Sequence, residues 1–220
     1  MFEATKIIHQ NSDWITLVLV FVFSVLAMLK LFYKDKLYFV STFFFSQKHL
    51  SILYNKDKKT IFTWFQGAFF ISQILTLSLL FYLGNLYFKV VVIQLKLNEF
   101  LLLFVAVGLY FSARYAIGFL VAFLFNFKKE FLKIAYQKTS YMNNLILWIL
   151  PFLVSSIFVN HYNKLILEIT LIIFLLLLLL RYALVLLNNK KLIFNNLFYF
   201  ILYICALEIA PLIIILKLTI

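Results

Sequence analysis

Six apolar stretches, each long enough to cross a lipid bilayer, occupy most of this 220-residue chain. A transmembrane helix needs about 17–25 predominantly apolar residues. The sequence therefore predicts an all-α polytopic membrane protein, folded as one integral membrane domain over residues 1–220 with a bundle of six transmembrane helices. The predicted spans are residues 14–32, 61–83, 99–125, 142–158, 165–187 and 197–217.

The composition excludes an ordinary soluble domain. Hydrophobic residues make up 65% of the chain, more than a soluble fold of this size can cover with polar surface. The net charge of +12 is high enough to raise the question of nucleic acid. However, the lysines are confined to short segments between apolar spans, which is the distribution expected for contact with lipid headgroups. We therefore expect membrane lipid, and no nucleic acid, as a partner.

The distribution of lysine predicts the orientation of the protein in the membrane. The first, third and fifth connections, together with the span ends that border them, carry 13 lysines. The remaining extramembrane segments carry 5. Because cytoplasmic loops are enriched in Lys and Arg, these odd-numbered connections are predicted to be cytoplasmic. Both termini are then on the non-cytoplasmic side. Trp14 and Tyr82 fit this frame as interfacial anchors at the non-cytoplasmic ends of the first and second spans.

The first cytoplasmic connection contains an amphipathic segment at residues 37–53, which is too short and too polar to span. We predict that it forms an amphipathic helix lying on the inner leaflet between spans one and two. Residues 127–136 resemble a smaller version of the same element. Two interpretations stay open: ordinary juxtamembrane helices that position the spans, or a docking surface for a cytoplasmic protein.

Two opposite charges are predicted to lie at the same depth inside the bilayer. At a rise of about 1.5 Å per residue, Arg114 in the third span lies about 16 Å from the inner edge of the membrane, and Glu208 in the sixth lies about 17 Å from it. Buried opposite charges relieve each other's desolvation when their helices touch. We therefore expect spans three and six to pack together, with Arg114 facing Glu208.

The third span also has features of a packing hub. Gly108, Ser112 and Ala116 recur every fourth residue, and small residues at this spacing allow close approach of helix backbones. Arg181, in the fifth span, lies about 9 Å from the inner edge of the membrane. It is close enough to that edge to extend its guanidinium to the headgroups, which is the alternative to a buried role.

Further residues suggest a polar pocket near the middle of the membrane. Pro211 follows Glu208 by three residues and frees a backbone carbonyl, and Pro151 does the same in the fourth span. Gln73 lies at a similar depth in the second span, as part of a polar stripe. Together with Arg181, these residues define a possible polar mid-membrane pocket. The alternative is a structural ion pair accompanied by ordinary proline kinks.

Signatures of catalysis and of cofactor binding are missing from the sequence. There is no HExxH motif, no glycine-rich phosphate loop and no combination of residues typical of a Ser-His-Asp triad. The three histidines and the single cysteine, Cys205, are not spaced as metal ligands. We therefore expect no catalytic residues, no metal and no cofactor.

The C-terminal stretch, FYFILYICALEIAPLIIILKL, has the most specific pattern in the chain. Its core of Tyr203, Cys205, Glu208 and Pro211 resembles the signature of an uncharacterised family of bacterial inner-membrane proteins, domain of unknown function 4271, found in Bacteroidota. The resemblance covers nearly the whole chain, and it includes basic residues in the third and fifth spans. It implies a multi-pass protein of the bacterial cytoplasmic membrane, and it implies no activity.

Three classes of function are compatible with these features. The leading hypothesis is a non-enzymatic inner-membrane protein that acts as a scaffold or accessory subunit of an envelope complex and has a protein partner in the membrane. The alternative is a small transporter or permease that uses the Arg114 and Glu208 site. A third possibility is a membrane enzyme acting on a lipid-soluble substrate.

Overall fold

A computed structural model describes residues 13–41, 64–88, 97–124, 128–159 and 163–188 of the chain. Within these ranges the protein is all-helical, as the sequence predicts, with no strand. The helices are α1 (Asp13–Phe32), α2 (Lys34–Ser41), α3 (Trp64–Phe88), α4 (Leu97–Leu124), α5 (Lys128–Phe158) and α6 (Asn163–Asn188).

Five of these helices, all except α2, are long and apolar enough to cross a membrane. They correspond in order to the first five predicted spans. The sixth predicted span, residues 197–217, lies outside the described residues. So does most of the amphipathic segment predicted at residues 37–53, of which α2 covers only the beginning.

The bundle is organised around α3 and α5. In the apolar windows of these two helices 61% and 56% of the residues are buried, compared with 22% in α1, 6% in α4 and 22% in α6. α3 packs against α1, α4, α5 and α6, and the most extensive pairing in the bundle joins α5 to α6. The peripheral helices therefore keep long apolar faces on the outside, which suits a protein surrounded by lipid.

An aromatic cluster packs one end of the bundle. The ring of Trp14 lies 5.2 Å from that of Tyr82 and 5.1 Å from that of Phe100, measured between centroids. The contacts bring together the start of α1, the last turns of α3 and the start of α4. Trp14 and Tyr82 thus lie at the same end of the bundle, opposite the lysine-rich turns, as expected for anchors at one membrane surface.

α1 and α2 are joined by a tight junction at Tyr33. The amide of Tyr33 donates to the carbonyl of Leu29, and the amide of Leu37 donates to the carbonyl of Tyr33. The junction therefore keeps helix-like hydrogen bonds on both sides. Because α2 also packs against α5, the helix as a whole lies against the bundle.

α5 is longer than the fourth predicted span. It begins at Lys128, so the separate small interfacial helix predicted at residues 127–136 is wrong: these residues continue directly into the span. The segment contains no Gly or Pro to end a helix before Pro151. Phe131 is buried, and Ile134 packs against the core near Tyr141. At about 1.5 Å per residue, the 31-residue helix is about 46 Å long and extends beyond a hydrocarbon layer of about 30 Å.

Candidate polar site in the helix bundle

A buried arginine connects α6 to the backbone of α5. Arg181 is only 7% exposed. Its Nε and Nη2 atoms donate to the carbonyl oxygen of Lys138, at 3.3 and 3.2 Å. Its guanidinium also lies 5.4 Å from the ring centroid of the neighbouring Tyr182. The side chain thus reaches toward the basic end of α5 while it stays inside the protein.

A second polar contact joins the same two helices near the end of α6. The Nδ2 atom of Asn188 donates to the hydroxyl oxygen of Tyr141 at 2.8 Å. Tyr141 is fully buried, and its ring packs in a cluster that includes Phe65, Phe69 and Val185. The Tyr141 hydroxyl therefore gives the end of α6 a specific partner inside an otherwise apolar contact.

Polar side chains continue into the interior along α3 and α5. Two groups are buried: Gln137, Ser140, Asn143 and Asn144 on α5, and Ser72, Gln73, Thr76 and Ser78 on α3. The hydroxyl groups on α3 are satisfied locally, because Ser72, Thr76 and Ser78 each donate to the carbonyl four residues earlier. These hydroxyl groups therefore make no demand on neighbouring helices.

The buried amides behave differently from the hydroxyl groups. Oε1 of Gln73, Oδ1 of Asn143 and both amide atoms of Asn144 are buried and make no hydrogen bond within the described part of the chain. Leaving such a group without a partner costs about 1–3 kcal/mol. We call these three residues the buried amides; each carries such a cost in the described part of the bundle.

Arg114, the basic member of the predicted charge pair, is half-buried in α4. It lies on the same face of the helix as Val107, Phe111 and the buried Gly118, which is the face that packs on the bundle. The next residue, Tyr115, has its ring 6.0 Å from that of Phe131, near the start of α5. Glu208 and Pro211 lie outside the described residues, so the proposed pairing of Arg114 with Glu208 stays a prediction.

The small-residue stripe of α4 is only partly occupied. A Cβ atom added to Gly108 would lie 3.7 Å from Cδ1 of Ile74, which is an ordinary van der Waals contact with α3. Ser112 and Ala116, the next two members of the stripe, are exposed, and the hydroxyl of Ser112 donates to the carbonyl of Leu109. The described helices therefore pack against one end of the stripe and leave the rest uncovered.

Three residues of the predicted mid-membrane pocket lie in the described ranges; the fourth, Pro211, does not, so the pocket as a whole stays a prediction. Gln73 and Arg181 are both buried, on α3 and α6 respectively. Pro151 is exposed on the surface of α5, and the helix continues past it to Phe158. The two buried residues thus belong to the interior, whereas the proline faces outward.

Sequence reasoning missed the polar residues of α5. The prediction began the fourth span at residue 142, so Gln137, Ser140 and Tyr141 fell in a connection, and Asn143 and Asn144 were not considered. A signal was present: Gln137, Tyr141 and Asn144 recur at helical spacing along one face. The pairing of Tyr141 with Asn188 had no sequence signal, because it depends on how two distant helices align.

The described residues contain no group of three or more His, Cys, Asp or Glu side chains that could hold a metal ion. The polar groups are instead amides, hydroxyls and an arginine embedded among apolar helices. This arrangement, with five helices long enough to span a bilayer, defines the class as a helical multi-pass membrane protein.

Comparison with known proteins assigns the family. Residues 15–219 match the family described as "Domain of unknown function (DUF4271)". Since the match covers nearly the whole chain, the protein belongs to this family, as the sequence resemblance predicted. No curated protein matches the chain. No solved structure matches it either.

Proposed function

We propose that the protein is a non-catalytic component of the bacterial cytoplasmic membrane, acting as a scaffold or accessory subunit of an envelope complex. The observation that carries this proposal is the surface of α4. Of its 28 residues only Phe100, Gly118 and Ala122 are buried. A long apolar helix that is so little covered offers a lateral surface on which a second membrane protein can pack.

The small residues of α4 favour a protein neighbour over lipid at this surface. Ser112 and Ala116 are exposed and lie one and two turns beyond Gly108, which already contacts α3. In membranes, helices associate through small residues because the backbones can approach closely, whereas lipid contact has no such requirement. The occupant we propose for the Ser112 face is a separate membrane protein.

The proposed orientation follows from the charge distribution. The basic residues of α2 and the first turns of α5 lie at one end of the bundle, and the Trp14 cluster lies at the other. With the lysine-rich end in the cytoplasm, both termini are on the non-cytoplasmic side. In this orientation the extramembrane partner surface is the first cytoplasmic connection, and the intramembrane partner surface is α4.

Site-specific photocrosslinking in cells tests the scaffold proposal. A photoreactive amino acid is placed at Ser112 or Ala116, with Leu176 on the exposed face of α6 as the matched control. We expect a discrete crosslinked species containing a second protein from the two α4 positions and none from position 176. Equal crosslinking at all three positions, or crosslinking to lipid alone, would overturn the proposal.

The buried amides favour one alternative, a small transporter or permease. Asn143, Asn144 and Gln73 place polar groups in the interior of the bundle, where a polar substrate or ion would have to pass. The substitution Glu208→Gln separates the two proposals. A scaffold loses stability but keeps its partner, whereas a transporter keeps its fold and loses substrate movement across proteoliposomes.

A further inference from the structure

A small pocket opens where α2, α3 and α5 meet at the lysine-rich end of the bundle. It has room for about one water molecule, so an organic ligand does not fit. The wall of the pocket includes Lys36 and Val40 of α2, Phe65 and Gln66 of α3, and Ser140 and Asn143 of α5.

Asn143 presents an acceptor to this pocket. Its side chain is 2% exposed, and its Oδ1 atom is buried with no hydrogen-bond partner within the described residues. A carbonyl oxygen can only accept hydrogen bonds, so the partner that it lacks is a donor. Because an unpaired acceptor in the interior costs free energy, the occupant that suits the pocket is one that donates to this oxygen.

Among occupants of the size of one atom, water fits the chemistry of the wall and an ion does not. An anion would face the amide oxygen of Asn143, which carries negative partial charge. A metal cation could bind that oxygen, but Lys36 belongs to the same wall and none of the lining residues is acidic. The Nζ atom of Lys36 lies 6.0 Å from the ring centroid of Phe65, another wall residue, so its charge lies close enough to repel a cation.

The wall supplies the further partners that a bound water needs. A buried water typically makes about three hydrogen bonds, with polar groups on more than one side. Ser140 lies three residues before Asn143, on the same face of α5, and its hydroxyl can donate or accept. Gln66 brings a side-chain amide from α3, on another side of the pocket.

We propose that the pocket binds one ordered water molecule, which donates a hydrogen bond to Oδ1 of Asn143 and joins it to Ser140 and Gln66. The water links α3 to α5 at the lysine-rich end and satisfies one of the buried amides. This inference stands independently of the scaffold proposal, because it concerns the contact between α3 and α5 and not the surface of α4.

Hydroxyl-radical footprinting of the full-length protein in nanodiscs tests for the water, because radicals formed from a bound water oxidise the side chains beside it. Phe65 is 4% exposed and lines the pocket. Phe69, one turn further along α3, is fully buried and does not line it, so it is the matched control.

We expect oxidation of Phe65, none of Phe69, and loss of the Phe65 signal in Asn143→Leu, which keeps the size of the side chain but removes the acceptor. Absence of oxidation at Phe65 in the wild type, or an unchanged signal in Asn143→Leu, would overturn the proposal.

Filling the pocket from its apolar side gives a second test. Val40→Leu adds a carbon to the wall and displaces the water, which leaves Asn143 without its partner. We expect the thermal midpoint to fall by about 2–4 °C in the wild type, the shift typical of one lost buried hydrogen bond in a chain of this size, and not to fall in an Asn143→Leu background.

A pocket without a bound water predicts the opposite sign in the wild type, because the added carbon would only gain apolar contacts. A higher midpoint for Val40→Leu in the wild type, or the same loss in both backgrounds, would therefore contradict the proposal. Cooperative unfolding of each variant shows that it is folded before the comparison is made.

Discussion

The guanidinium of Arg181 donates two hydrogen bonds to the backbone carbonyl of Lys138, 43 positions earlier in the chain. The acceptor belongs to the basic N-terminal part of α5. A buried arginine therefore ties α6 to α5 through a backbone carbonyl, a group that no substitution at residue 138 would remove.

We expect Arg181→Ala to destabilise the protein by about 1.5–3 kcal/mol, because it removes charged donors from a buried carbonyl. Arg181→Lys should cost less than Arg181→Ala, since lysine keeps a charge but lacks the two-pronged geometry of the guanidinium. The fraction of folded protein after heating in detergent measures both changes. Lys138→Ala is the matched control, because it leaves the carbonyl in place. A greater loss in this control than in Arg181→Ala would contradict the assignment.

The contact between Tyr141 and Asn188 should appear as energetic coupling. Tyr141→Phe and Asn188→Ala each remove one partner of a hydrogen bond whose net contribution is about 0.5–1.5 kcal/mol. In a double-mutant cycle on the free energy of unfolding, we expect a coupling of that size. Simple additivity of the two single effects would show that the bond does not hold α6 to α5.

Gly108 should tolerate a methyl group. The Cβ of alanine would meet Ile74 at an ordinary contact distance, and alanine favours a helix over glycine by about 0.5–1 kcal/mol. We expect Gly108→Ala to be neutral or slightly stabilising, as Gly84→Ala should be, where nothing lies within 4 Å. Gly108→Leu should separate α4 from α3 and lower the thermal midpoint. A strong loss in Gly108→Ala alone would reveal a closer neighbour than Ile74.

The predicted pairing of Arg114 with Glu208 can be tested by a second cycle. Removing one member of a buried ion pair costs about 3–5 kcal/mol, because the other charge is left without its partner. We expect Arg114→Ala and Glu208→Ala each to be strongly destabilising and the double variant to be close to normal. Arg114→Ala combined with Glu168→Ala is the control, and its effects should add. Additive effects for Arg114 and Glu208 would show that they do not pair.

The sequence predicts the helical class and the positions of most long helices because both depend on apolar runs measured against a fixed bilayer thickness. α1, for example, begins one residue before the predicted start and ends at the predicted residue. The start of α5 was predicted poorly, because Lys128, Lys133 and Lys138 look like a connection by composition. They form a helix because Phe131 and Ile134 pack on the bundle beside them.

The polar site was harder to predict than the fold. Arg181 stood out in the sequence as a charge within a span, yet its acceptor is a backbone carbonyl, and every residue has one. Asn143 and Asn144 have no charge and fall at the edge of an apolar run, so hydropathy gives them little weight. Their burial is decided by the packing of α5 between α3 and α6, which is a tertiary property.

Substituted-cysteine accessibility tests the membrane topology on which the whole account depends. In a Cys205→Ser background, single cysteines are placed at Lys34 and Lys133, at the lysine-rich end, and at Asp13 and Asn98, at the other. In spheroplasts, we expect a membrane-impermeant maleimide to label positions 13 and 98, and to label positions 34 and 133 only after permeabilisation. Labelling of 34 and 133 in intact spheroplasts, with 13 and 98 protected, would contradict the account.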